Sequence, residues 1–78
     1  MFKNKNEDGS LNLCGSKIEL LRKKKGVSQR GLADQLQLEG MDLNKNAIQQ
    51  IESGKRFVTD IELRAFACLF GVKTDDLV

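Results

Sequence analysis

Positions 44–53 of the chain read NKNAIQQIES. Lys45, Asn46, Gln49 and Gln50 carry an ammonium donor and carboxamides that donate and accept side by side. That set is suited to reading flat polar edges by hydrogen bonding, not to making or breaking bonds. At about 100° per residue the four fall within roughly a 140° arc of a helix. Ala47, Ile48 and Ile51 point the other way. Lysine can donate to guanine O6 and N7, and asparagine or glutamine can bond bidentately to adenine. A solvated polar face is the plainer reading of the same pattern, so the elements that position these residues have to decide.

Other chemistry is poorly supplied. The chain has no histidine, which removes the commonest general base and the commonest metal ligand together. Its two cysteines, Cys14 and Cys68, are far apart and too few for a zinc site. No glycine-rich phosphate loop appears. The expectation is a protein that is not an enzyme and uses no metal or cofactor. The net charge of +2 is too small to argue for a polyanionic partner by itself, so the distribution of charge must carry that argument. No apolar run has the length of a signal peptide or a membrane span. A cytoplasmic protein with two free thiols is expected, with Cys68 in or near the core.

A chain of 78 residues, 40% of them hydrophobic, has room for one small domain. It has no proline, tryptophan or tyrosine, and β-branched residues are sparse, a balance that favours helices. Residues 1–12, MFKNKNEDGSLN, read as a flexible N-terminal tail with Leu11 and Leu13 as docking points. Residues 13–78 read as the folded domain. Cys14, Ile18 and Leu21 recur at helical spacing up to the run Arg22–Lys25, and Gly26 closes that helix. Ser28 is an N-cap for a second helix, with Leu32, Ala33 and Leu36 inward; Gly31 there suggests the close approach of another backbone. The stretch LEGMDL, 38–43, leads to Asn44, the N-cap of a third helix that ends before Gly54. Thr59-Asp60-Ile61-Glu62 is a capping box that starts a fourth helix, with Leu63, Phe66, Ala67 and Phe70 inward and Gly71 as its stop. Thr74 caps a last short turn containing Leu77. The fold class is all-α, a compact bundle of about five short helices.

Three blocks then stand in order: Ser28-Gln29-x-x-Leu32-Ala33, Ile48-x-x-Ile51-Glu52-x-Gly54-Lys55-Arg56, and Leu63-x-x-Phe66-Ala67-x-x-Phe70-Gly71-Val72. Together they resemble the lambda-repressor-like (Xre-type) helix-turn-helix family over roughly residues 14–78. The resemblance implies a sequence-specific, double-stranded DNA-binding transcriptional regulator, with repression the expected outcome. It places Lys45, Asn46 and Gln50 where relatives touch bases, with Gln49 as a further candidate. It places Ser28, Gln29, Ser53, Lys55 and Arg56 at phosphates, and it pairs Arg22 with Glu52 as a structural ion pair. A homodimer on a pseudo-palindromic site follows, with helix four or either tail as the interface and Leu69 as its best exposed apolar contact. One departure stands out: the segment between Ala33 and Ile48 is several residues longer than the commonest family pattern. The alternative reading is a helical protein-interaction module, antitoxin-like or adaptor, that binds a protein partner and no DNA.

Overall fold

The computed structural model describes Gly9 and residues 11–78. Most of the tail expected over 1–12 therefore lies outside the described residues. The chain forms four α-helices, α1 (Gly15–Lys25), α2 (Gln29–Leu38), α3 (Lys45–Glu52) and α4 (Asp60–Phe70), followed by a single 3-10 turn (Thr74–Leu77). The all-α bundle is as the sequence indicates, except that its fifth helix is this one short turn. The turn is capped not by Thr74 but by Asp76, whose Oδ2 accepts a hydrogen bond from the Lys73 N–H at 3.1 Å.

Capping residues set where the helices begin. Ser28 Oγ accepts from the Gly31 N–H at 2.9 Å, and Asn44 Oδ1 accepts from the Ala47 N–H at 2.9 Å. At α4 the box is reciprocal: Glu62 N–H donates to Thr59 Oγ1 at 3.1 Å, and Thr59 N–H donates to Glu62 Oε1 at 3.0 Å. Each such cap satisfies N–H groups that the helix cannot, typically stabilising it by about 1 kcal/mol. Gly31 meets no foreign backbone, contrary to expectation: a methyl group there would stand 2.9 Å from Val27 Cγ1 and 3.2 Å from Ser28 Oγ.

These helices pack α3 against both α1 and α2, while α4 packs against α1, α2 and the terminal turn. Ile18 of α1, Leu32 and Leu36 of α2, Ile48 and Ile51 of α3, Phe66 of α4 and Leu77 of the turn are all fully buried. Burying each such large side chain contributes about 1.5–3 kcal/mol, so each element is held by at least one residue of the shared core. Leu69 is half-buried against this core and does not project outward as expected, whereas Cys68 is exposed and not part of it.

The long α2–α3 connection is tied down along its length. Met41 N–H returns to the Leu36 carbonyl at 2.9 Å, closing α2, and Gly40 takes φ 85°, a left-handed conformation that glycine adopts without strain. Met41 packs on the core edge and Leu43 is buried within it. Asn44 then caps α3. The extra residues thus fill space and do not leave α3 on a slack loop.

Where α1 begins, two residues of the expected tail join the fold. Asn12 Oδ1 accepts from the Gly15 N–H at 2.8 Å, and Asn12 Nδ2 donates to the carbonyls of Ile51 (3.1 Å) and Arg56 (2.8 Å). Leu11 N–H donates to the Gly54 carbonyl at 2.7 Å. Gly15 permits this closure. A methyl group on it would collide with the Ile51 carbonyl and crowd that of Glu52, both backbone atoms that cannot turn aside. Helix propensity alone favours alanine over glycine. Gly15→Ala is nevertheless expected to destabilise the fold by about 1–3 kcal/mol through this collision. Urea denaturation followed by circular dichroism measures it, and a stability gain would show that α1 and α3 are not in backbone contact.

Candidate nucleic-acid interface

α3 is amphipathic in a strict sense. Ile48 and Ile51 are fully buried, and Lys45, Asn46, Gln49 and Gln50 are all exposed on the other side. Among the described residues, none of these four side chains has a hydrogen-bond or ion-pair partner in the protein. They form one polar surface, with one ammonium and three carboxamides available to an external ligand. Lys55 stands beyond the helix end, exposed and equally unpartnered, while its N–H closes the turn onto the Gln50 carbonyl at 2.8 Å. Ser53 is exposed, and its hydroxyl donates locally to the Gln50 carbonyl at 3.2 Å.

Underneath this surface lies Glu52, the last residue of α3, with a side chain only 2% exposed. Arg22 of α1 grips it with two bonds, Nε to Oε2 at 2.7 Å and Nη2 to Oε1 at 3.1 Å. The third guanidinium nitrogen, Nη1, donates to the Val27 carbonyl at 2.9 Å. Gln29 of α2 adds a bond from Nε2 to Glu52 Oε1 at 3.0 Å. One carboxylate thus ties α1, α2 and α3 together. The hydrogen bond to Glu52 holds the Arg22 guanidinium above its ordinary pKa, against the opposing effect of burial.

Of the five anticipated phosphate ligands, Ser28, Gln29, Ser53 and Arg56 already bond within the protein. The Gln29 carboxamide is half-buried on Glu52, as described, which leaves its oxygen and one N–H uncommitted. Arg56 forms a bidentate pair with Glu62, Nη1 to Oε1 at 3.0 Å and Nη2 to Oε2 at 3.1 Å, and Nη1 also donates to the Phe57 carbonyl at 3.1 Å. Arg56 therefore fastens the α3–α4 connection to the start of α4. Ser28 uses its hydroxyl oxygen as the α2 cap. The freely presented set is Lys45, Asn46, Gln49, Gln50 and Lys55.

Sequence reasoning passed over Arg30, exposed in the first turn of α2 and without a partner among the described residues. A cation there opposes the helix dipole by about 0.3–1 kcal/mol, and that cost was the available signal that it serves something other than helix stability. The Asn12–Gly15 closure and the Arg56–Glu62 pair were also missed. Asn12 reaches Ile51 and Arg56 some forty residues away, and Arg56 reaches Glu62 across the α4 cap, so nothing in local periodicity marks these contacts.

Two measurements follow from these ion pairs. Arg22→Met leaves Glu52 buried without its charge partner and is expected to cost roughly 3–5 kcal/mol, much of which the double change Arg22→Met with Glu52→Met should recover. Chemical denaturation of the two variants reads this directly, and a loss below about 1 kcal/mol from the single change would mean that the pair holds little. For Glu62, burial alone would raise the carboxyl pKa, but the Arg56 hydrogen bonds and the Thr59 N–H outweigh it and hold the group below its ordinary value. Its contribution to stability is therefore complete above the unfolded-state pKa of about 4.3 and is lost as the pH falls through the lower folded value. Glu62→Gln should be less stable than the native protein at neutral pH, with the gap narrowing across that acid window in thermal melts. A gap independent of pH would exclude the pair as its source.

A family model for helix-turn-helix domains matches residues 18–77. Among solved structures, the crystal structure of the DNA-binding domain of BldD is similar at 26% identity and a TM-score of 0.69, the match covering 85% of this chain and 89% of that one. No curated protein matches the chain. With α2 and α3 packed on one core, joined by a capped turn and tied through Glu52, the chain belongs to the lambda-repressor-like (Xre-type) helix-turn-helix family.

Proposed function

We propose that residues 11–78 form a sequence-specific DNA-binding domain that inserts α3 into the major groove of double-stranded DNA and regulates transcription, acting as a repressor by occluding the polymerase. One observation carries this reading. α3 presents Lys45, Asn46, Gln49 and Gln50 on a single arc without partners among the described residues, while its back is locked by Ile48 and Ile51. A purely structural helix has no need of three adjacent carboxamides, whereas base edges match them in donor and acceptor order. Membership of the helix-turn-helix family and the similarity to a DNA-binding domain support the same reading.

In this reading Lys45, Asn46 and Gln50 contact bases, with Gln49 beside them. Lys55 and Arg30 supply phosphate contacts through exposed cations, and Ser28, Gln29 and Ser53 line the backbone at the two helix ends through N–H groups and uncommitted polar atoms. Arg56 reaches phosphate with whatever donor capacity Glu62 leaves it, so its share of affinity is smaller than that of Lys55. A single domain reaches few base pairs, and two copies on a pseudo-palindrome give the needed specificity. The protein acts in the cytoplasm, and no catalytic step is involved.

Selection of bound duplexes from a random library tests the reading in one experiment. An enriched motif with inverted half-sites is expected, and the absence of any enrichment would overturn it. On the selected site, Gln50→Ala or Lys45→Ala should cost about 1–3 kcal/mol and relax preference at one base pair. Lys55→Ala should weaken all sequences alike and flatten the salt dependence by about one unit. Equal losses on every sequence for Gln50→Ala and Lys45→Ala would remove both from the role of base readers.

A further inference from the structure

Between α4 and the α2–α3 connection lies a shallow groove of about 210 Å³, lined by Glu39 and Met41 of that connection and Ile61, Arg64, Ala65 and Cys68 of α4. Its apolar content is exposed for so small a domain. Ile61 is 69% accessible, and Leu38, next to Glu39, is 88% accessible. The groove shares no residue with the polar arc of α3 or with the phosphate-binding candidates. It is built by the segment that makes this chain longer than the commonest family pattern, since Glu39 and Met41 belong to that connection.

Apolar exposure alone does not identify an occupant, but the charges do. Glu39 and Arg64 lie on the same groove, both exposed, and among the described residues neither forms an ion pair. One acid and one base on a single apolar groove are self-complementary under a two-fold axis that runs between them: each Glu39 meets the Arg64 of the other copy, twice, while the apolar surfaces close on each other. A partner of uniform charge would leave one of the two groups opposed or unpaired. We propose that this groove is the self-association surface of the protein, a second copy docking on it about a two-fold axis. The proposal specifies where the dimer of the preceding section forms and rests on that part of the reading, not on the identity of the base contacts.

Sedimentation equilibrium of the full chain, alone and on duplexes carrying one or two half-sites, tests it. The native protein is expected to self-associate. Glu39→Arg and Arg64→Glu should each weaken association by about tenfold or more, because each places like charges opposite one another twice. An equimolar mixture of the two variants should restore it, since every contact then pairs an acid with a base again. Glu39 and Arg64 are surface residues, so at concentrations low enough for the native protein to be monomeric the variants should melt at the native temperature, which confirms that they fold. Cys68 is an internal reporter: its reaction with a thiol reagent should slow as association rises in the native protein and not in the variants, whereas Cys14 is buried throughout. A native protein that stays monomeric and fills two half-sites independently, a dimer indifferent to the charge changes, or a mixture that fails to associate would each overturn the proposal. Failure of the DNA-binding reading looks different: a native dimer that responds to the charge changes yet binds no duplex. In the expected case the charge variants bind a single half-site with native affinity and lose only the cooperative filling of two.

Discussion

The Glu52 carboxylate is the constraint on which the other contacts depend. It sits at the foot of α3, nearly inaccessible to water, and is stabilised there by donors from two different helices, Arg22 and Gln29. An ionised carboxylate in that position is tolerated only if those donors stay in place. The requirement acts in reverse as well, because the donors fix α1 and α2 relative to α3. Apolar contacts among Ile18, Leu32, Ile48 and Ile51 bury the inner side of the bundle but carry no directional bond. The bidentate Arg22 pair is directional, and it sets the angle at which α3 presents its polar arc.

The second ion pair repeats the device at the other end of the connection that follows α3. Arg56 and Glu62 link the exit from α3 to the first turn of α4, and Glu62 also closes the capping box with Thr59. One glutamate therefore serves helix initiation and tertiary placement together. α4 in turn contributes Phe66 to the core, stacked beside Phe70 with ring centroids 6.5 Å apart. The whole arrangement reads as a short chain of charged and capped joints around an aliphatic centre, suited to a domain too small for stability by core volume alone.

Much of this was legible in the sequence because the signals were local. Ser28, Asn44 and the Thr59–Glu62 box announce helix starts within a few residues, Gly26 and Gly71 announce stops, and the spacing of Ile48 and Ile51 fixes which side of α3 faces inward. The polar arc follows from that spacing by simple rotation. What was not legible depends on contacts across the fold. Cys68 sits within an apolar run and reads as core, yet the rotation of α4 that buries Phe66 and Ala67 turns Cys68 to solvent and draws Leu69 inward. The partners chosen by Gln29 and Arg56 depend on where Glu52 and Glu62 lie in space. Residues Leu11 and Asn12 look like tail by composition and are fold by hydrogen bonding, because their partners lie some forty residues away.

Gly15 has a consequence for how such a domain can diversify. Where α1 meets the end of α3, main chain touches main chain, so no side-chain volume exists there for substitution to adjust. Near the other end of α3, Leu43 is buried in the core, and side-chain bulk there can be altered by single methylene groups. Sequence drift can thus swing the leading end of α3 like the free arm of a compass while its trailing end stays pivoted on a glycine. The reach of the helix is open to tuning, and its anchorage is not.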